Sequence, residues 1–335
     1  MRRVVKRGLR TAAQRLGIYD LARRLTGEWP RILVYHAFTS SEDSRDGATT
    51  VDSLRRQLAY VRRRYRIVPL AEIGRAIAEQ CPLPARSVAI TIDDGYVSFA
   101  EWALPVLREF EAPATVFVVS ELVERRDWLW YDKFRYLCAA ASDRDAHGSE
   151  TNRTILARLK RLPPDQRDAE CVRIAREAGV SIPRDPPPDA ALLDWRQLCE
   201  IAADGLIDIG AHTRTHPILA TIPEQAARDE IAGSREQIRR RLGVDAECFC
   251  YPNGLPGDYR PLHMRQVAES GFLCAVASHC GIVTPGESRF ALPRIGASND
   301  FNLFRKLLDG FQHVQDRLHP AKRPAAVSQP TASHL

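Results

Sequence analysis

SVAITIDDGYVSF, residues 87–99, runs from an apolar, β-branched stretch into two adjacent aspartates and a glycine. The stretch is an apolar, β-branched run of strand length, so it reads as a buried strand. Two like charges side by side at its end call for a reason. On these residues alone two readings stay open. Asp-Gly is a common turn dipeptide. Alternatively, one carboxylate holds a cation while the other moves a proton.

Similar runs recur along the chain: RILVYH (31–36), YRIVPL (65–70), ATVFVV (114–119), LIDIGA (206–211), CFCYP (248–252) and FLCAVA (272–277). Helical patterns lie between most of them. VDSLRRQLAYVRRRY opens on an Asp-Ser cap candidate, FAEWALPVLREFE carries Phe99, Leu104, Leu107 and Phe110 at helical offsets, and IPEQAARDEIAGSREQIRRRLG stops at Gly243. Strands alternating with helices give an α/β protein with a parallel sheet. About seven such units favour a barrel over an open sheet. Residues 125–190 break the rhythm with the aromatic cluster DWLWYDKFRYL, polar helices and IPRDPPPDA, and read as a helical insertion over the barrel. The plan is therefore a basic N-terminal helix (1–28), a barrel (29–313) with its insertion at about 125–190, and a Pro/Ala/Ser-rich disordered tail (314–335).

The net charge of +6 belongs to one short arm. Residues 1–30 hold eight Lys/Arg against Asp20 and Glu28, whereas the remaining 305 residues balance at 40 basic and 40 acidic. No basic patch with interleaved aromatics continues beyond the arm, which argues against a nucleic-acid partner. The arm sets Val5, Leu9, Ala13, Leu16 and Leu25 roughly on one helical face with arginines between them. Such a helix suits peripheral contact with an anionic membrane through residues 1–28, or packing against the body. No signal-peptide core and no run of 18 apolar residues occurs. The eight cysteines show no CxxC and no zinc-finger spacing, and read as reduced core residues. The expected location is cytoplasmic, with peripheral attachment at the inner face of the membrane.

Two further stretches bear on the opening question. LIDIGAHTRTHPIL (206–219) carries His212 and His216 four apart just after a strand, and TIDDG ends its own strand in the same way. Both motifs thus fall at the carboxyl end of the sheet, where α/β proteins keep their sites. Two imidazoles and one carboxylate make a divalent-metal set with open positions. CFCYPNG (248–254) is either an ordinary turn or a turn that aims a backbone N–H at a developing oxyanion.

In this order the motifs resemble those of the polysaccharide deacetylase family, the NodB-homology group of carbohydrate esterase family 4. TIDDGY resembles its first motif, HTRTH its His-x-x-x-His motif and CYPNG a variant of its third, while ILVYHAF and LPRIG (292–296) resemble elements of one branch. The resemblance spans roughly residues 30–310 and implies a distorted (β/α)7 barrel. It implies that Asp94, His212 and His216 hold Zn²⁺ or another divalent cation such as Co²⁺, Ni²⁺ or Mn²⁺. Asp93 would be the general base for an attacking water, and the Tyr251 backbone N–H would meet the oxyanion. The substrate would be an N-acetylated glycan. A carbohydrate de-O-acetylase on the same scaffold and a catalytically silent glycan-binding barrel are the alternatives.

Two positions depart from the family pattern. Cys250 stands where many members carry an arginine that orients the catalytic aspartate, and Arg294 in LPRIG is the candidate to supply that guanidinium from another strand. The late Leu-x-x-His general-acid motif is not evident. His36, ending the first strand, is the favoured acid, with a satisfied rim histidine as the alternative reading; His313 in GFQHVQD lies in a poor context. Trp128, Trp130 and Tyr131 read as a hydrophobic plug for the insertion, with a sugar-stacking wall as the second reading.

Overall fold

The computed structural model describes residues 17–40, 47–142 and 152–318. Seven parallel strands close into a barrel: β1 (Arg31–Tyr35), β2 (Ser87–Ile92), β3 (Ala114–Val118), β4 (Ile207–Ala211), β5 (Cys248–Cys250), β6 (Cys274–Cys280) and β7 (Leu292–Gly296). β1 closes the ring, pairing with β2 from Arg31↔Val88 to Tyr35↔Ile92 and with β7 at Leu33↔Ile295. Ile32, Ala89, Phe117, Cys250, Val276 and Leu292 fill the barrel interior. The larger core lies between the strands' outer faces and the surrounding helices, which include α2 (Val51–Arg64) and α6 (Glu224–Leu242).

The expected barrel is present, with one strand exchanged. Of YRIVPL only Arg66–Ile67 pairs, against Ser87 and Val88, because β3 takes that edge of β2 from Ile90 onward. Pro69 then caps the next helix. The seventh barrel strand is LPRIG, disguised by Pro293, which cannot donate to a ladder. There the β6–β7 register slips. Between Leu292↔Val276 and Arg294↔Cys280, β7 advances two residues while β6 advances four, a bulge that distorts the ring. The cap of α2 is Thr50, whose hydroxyl accepts from the Ser53 N–H, rather than the Asp-Ser pair. α6 ends as expected on Gly243, at φ +70°.

Gly210, two residues before His212, marks a close approach. A Cβ there would overlap the Phe117 ring and sit 3.1 Å from the Cys248 carbonyl oxygen. Gly210→Ala is therefore expected to cost about 1–3 kcal/mol by overpacking, read as a lowered midpoint in urea denaturation.

The insertion has its own small core. Helices α3 (Trp130–Ser142), α4 (Asn152–Leu159) and α5 (Pro164–Glu177) bury Trp130, Phe134, Leu137, Leu159, Cys171 and Ala175 together. Trp128 and Trp130 are buried and Tyr131 is partly exposed, an arrangement that matches the plug rather than a sugar-stacking wall.

At the N-terminal side, α1 (Ile18–Leu25) packs Tyr19 and Ala22 inward, whereas Leu25, assigned above to the apolar face, is 63% exposed. The rest of the proposed basic helix, residues 1–16, lies outside the described residues. So do residues 319–335 of the expected tail, while residues 314–318 belong to a helix, Phe311–Leu318. Cys171, Cys248, Cys250 and Cys274 are buried as expected of core thiols, but Cys81, Cys199 and Cys280 are exposed, and all eight are free. No helix among the described residues is long and apolar enough to cross a membrane.

Candidate active site

Asp93 and Asp94 leave the carboxyl end of β2. The Asp93 N–H still belongs to the barrel ladder, donating to the Tyr35 carbonyl at 2.9 Å. Asp94 and Gly95 then adopt left-handed backbone at φ +73° and +72° and turn the chain at the rim. A side chain at Gly95 would also press on Val118 Cγ1 at 3.2 Å, so the glycine is required twice over. Two strands away, the His212 N–H donates to the Val118 carbonyl at 2.9 Å. Thr213 and His216 are also left-handed, at φ +64° and +61°. Each such non-glycine residue costs about 1 kcal/mol or more. Glu230 of α6 offsets this by accepting from the Arg214 and Thr215 N–H groups, each at 2.8 Å, and from the Thr215 hydroxyl at 2.7 Å.

These turns bring together groups more than a hundred residues apart. Asp94 Oδ1 lies 3.5 Å from His212 Nε2 and 3.5 Å from His216 Nε2. Ligands at zinc distances of about 2.0–2.2 Å in a tetrahedron stand about 3.4 Å from one another, so the spacing fits a small divalent cation. The tautomers fit as well. His212 Nδ1 sits 2.7 Å from the Cys250 carbonyl oxygen, which puts a proton on Nδ1. Burial opposes a second proton, but Cys250 and the Asp94 carboxylate hold the group well above its ordinary value, so a cation would take the place of the Nε2 proton. Burial, with the neighbouring His212 and Arg167 charges, pushes His216 down to about 3, so it is neutral at ordinary pH. Burial opposes ionisation of Asp94, but the His212 hydrogen bond and the imidazole charges outweigh it and hold the carboxyl below its ordinary value.

Asp93 is buried beside this cluster and turned to a different partner. Arg294 of β7 meets it with two parallel bonds, Nη1–Oδ1 and Nη2–Oδ2, both 2.7 Å. The guanidinium is itself fixed by the Ala277 carbonyl (2.9 Å), Thr91 Oγ1 (3.1 Å) and Cys250 Sγ (3.3 Å). Ala277 lies within the β6 bulge, so the irregular register places a carbonyl where Nε reaches it. Burial raises the Asp93 carboxyl, but Arg294 outweighs it, and the group stays below the ordinary carboxylate range. Asp93, His212 and Cys250 are also close enough to ligate. Asp93 is taken by Arg294, however, and burial keeps the Cys250 thiol protonated, so the Asp94 set is the better metal site.

His36 stands at the rim after β1, half-exposed, with Nε2 3.7 Å from Asp93 Oδ2. His313 is elsewhere, stacked edge-on against Trp29. Tyr251 needs a correction. Its N–H donates to the Val276 carbonyl at 3.3 Å, because the β5–β6 ladder runs one residue past Cys250, so this donor is not free for an oxyanion. Its hydroxyl points away from the cluster to the Phe290 carbonyl at 2.9 Å. Sequence reasoning missed the Cys250 carbonyl, Thr91 and Glu230. The first acts through its backbone, which no residue type signals. The other two carry no motif.

The insertion is tied to the first and third motif loops. The buried Tyr96 hydroxyl donates to Asp132 of α3 at 2.7 Å, and residues 191–193 run beside 95–97, with Leu193 N–H on the Gly95 carbonyl at 2.8 Å. Lys160 Nζ reaches Asn253 Oδ1 at 2.8 Å. A cavity of about 390 Å³ lined by Pro256, Tyr259, His279, Ile295 and Gln312 contains none of Asp93, Asp94, His212 and His216 and lies outside this chemistry.

Comparison with known proteins finds similar chains. A family model described as polysaccharide deacetylase matches residues 81–272. The poly-beta-1,6-N-acetyl-D-glucosamine N-deacetylase of Escherichia coli K12 is 36% identical over 83 residues, which is 24% of this chain and 12% of that protein. The chain thus matches only about an eighth of that curated relative's length. Among solved structures, IcaB from Ammonifex degensii aligns with a TM-score of 0.60 at 20% identity, covering 84% of this chain and 98% of that one. The Streptococcus pyogenes deacetylase PplD in complex with acetate aligns at 0.58 and 19%, covering 83% and 98%. At these identities the structural likeness speaks for the barrel fold.

Proposed function

This chain belongs to the polysaccharide deacetylase family, and on that premise we propose that it hydrolyses N-acetyl groups from N-acetylhexosamine units of a poly- or oligosaccharide or a lipid-linked glycan. The observation that carries this reading is the Asp94–His212–His216 cluster with Asp93 beside it, bound to Arg294 instead of the metal set. Asp94, His212 and His216 would hold Zn²⁺, or Co²⁺, Ni²⁺ or Mn²⁺. Once bound, such a cation would polarise the acetyl carbonyl and acidify water.

The remaining steps fall to the chain's own groups. Arg294 keeps Asp93 ionised and aimed, so that it accepts the proton of the attacking water. His36, half-exposed at the rim, delivers a proton to the departing nitrogen. The C–N bond breaks, giving acetate and a free amine. Ligation costs a carboxylate its basicity, which is why the two aspartates divide the labour. The name of the E. coli relative makes N-acetylglucosamine oligomers the first substrates to try.

Acetate release from N-acetylated and O-acetylated oligosaccharides, before and after chelation, tests the reading. The amide substrate should release acetate, the chelator should suppress it at least about 100-fold, and added Zn²⁺ or Co²⁺ should restore it. Release from esters alone would make the protein a de-O-acetylase. No release from either, with metal retained, would make it a glycan-binding barrel. The proposed location is the inner face of the cytoplasmic membrane, held through residues 1–28. Leu21 and Leu25, exposed on α1 next to Arg24, support that placement, and recovery only in the soluble fraction of lysed cells would rule it out.

A further inference from the structure

Among the described residues four arginines are buried: Arg31, Arg167, Arg294 and Arg305. Three have visible partners. Arg294 holds Asp93, Arg31 donates to the Thr26 and Leu308 carbonyls, and Arg305 faces Asp20 and Asp309. Arg167, on α5 of the insertion, is 3% exposed, yet its Nε and Nη1 have no hydrogen-bond partner. Its guanidinium stacks on Trp130, 4.4 Å from the ring centroid. A buried cation left in this state is costly, and such groups are normally paired with a charge or serve a ligand.

Its place in the fold points toward the cluster. Trp130 opens α3, and two residues later Asp132 is bound to Tyr96, which follows Asp93, Asp94 and Gly95 directly. The Arg167 charge bears on His216, whose Nδ1 is a second enclosed group without a partner. The carboxylates of the cluster cannot serve as its partner, since Asp93 is engaged by Arg294 and Asp94 belongs to the metal set. Among the described residues the first opposite charge acting on Arg167 is Asp168, its neighbour on α5, and Nε and Nη1 still lack a hydrogen-bond acceptor.

Resting on the deacetylase reading above, we propose that Arg167 binds an anionic group, a carboxylate or a phosphate, carried by the glycan substrate. The insertion would then select acidic or phosphorylated glycans over neutral ones. Both anions offer negatively charged oxygens that accept from guanidinium N–H groups, so the chemistry is shared and the source is a matter for experiment.

Trp130 beneath the guanidinium supplies an optical readout that does not depend on turnover. Fluorescence titration and calorimetry on the full chain would compare chitotetraose (neutral), N-acetylglucosamine 1-phosphate (phosphate) and a hyaluronan tetrasaccharide (carboxylate). At least one charged probe should bind roughly 10- to 100-fold tighter than the neutral one, and Arg167→Met should erase that ratio. Arg167→Lys, which keeps the charge but not the fork, should retain part of it and covers the case in which the methionine variant does not fold. Preference for the phosphate or for the carboxylate probe identifies the source. Equal binding of all three by the native protein, or a ratio unchanged in both variants, would overturn the proposal. Arg167-dependent binding without acetate release from any probe would uphold it while refuting the deacetylase reading.

Discussion

Asp93→Asn protein is expected to retain its divalent cation at native stoichiometry while acetate release falls by about 10²–10⁴-fold, the usual contribution of a positioned general base. The amide keeps the shape of the side chain and can still accept a bond from Arg294, so the site should stay assembled. What it cannot do is take up a proton. Metal analysis beside the kinetics makes the test sharp, because Asp94, only one residue away, should behave in the opposite way. Asp94→Asn weakens one of three ligands and should lower metal content together with activity. If Asp93→Asn strips the metal as Asp94→Asn does, the two carboxylates do not divide the work as their partners indicate.

The second large effect concerns Arg294. Replacing it with methionine leaves Asp93 buried and removes the charge that outweighs burial. The direction follows directly. In the native protein the Asp93 carboxyl sits below the ordinary carboxylate value and is ionised throughout the neutral range. In Arg294→Met the burial effect is unopposed by this charge and the proton is held to higher pH. A base must be unprotonated, so the acid limb of the kcat/KM profile should move to higher pH and activity should recover as pH rises. Breaking one side of a buried pair also costs about 3–5 kcal/mol, so the melting temperature should fall as well. Lower activity with the acid limb in its native place would mean that Arg294 serves packing alone.

How far the site could be read from sequence varies by motif. TIDDG and HTRTH declare themselves because acidic and imidazole groups at strand ends are costly without a purpose. Both loops also need left-handed residues at positions that are not glycine. The barrel was legible because short strand-like runs alternate with helical patterns along the chain. LPRIG escaped the strand pattern because Pro293 breaks the ladder, although Arg294 within it was marked. YRIVPL met the pattern and still lies outside the ring, because strand propensity cannot reveal that β3 already holds the edge. Tyr251 shows the same limit. Whether its N–H is free depends on where a ladder stops, one residue's difference that composition does not encode. Arg167 was invisible for another reason: an arginine among polar helices looks solvated until the fold buries it.

The ring is sealed by its first and last strands, and this has a consequence for synthesis on the ribosome. A nascent chain can pair β1 with β2 early, as an open sheet with the metal-set aspartate already at its rim. Until residues 292–296 emerge, β1 and β6 expose unpaired edges, the condition that invites misassembly. The same five residues deliver Arg294, so the base gains its countercharge only when the seam shuts. Hydrolytic competence and topological completion therefore arrive in a single late event, and a chain stalled short of that point would carry the metal ligands without a tuned base.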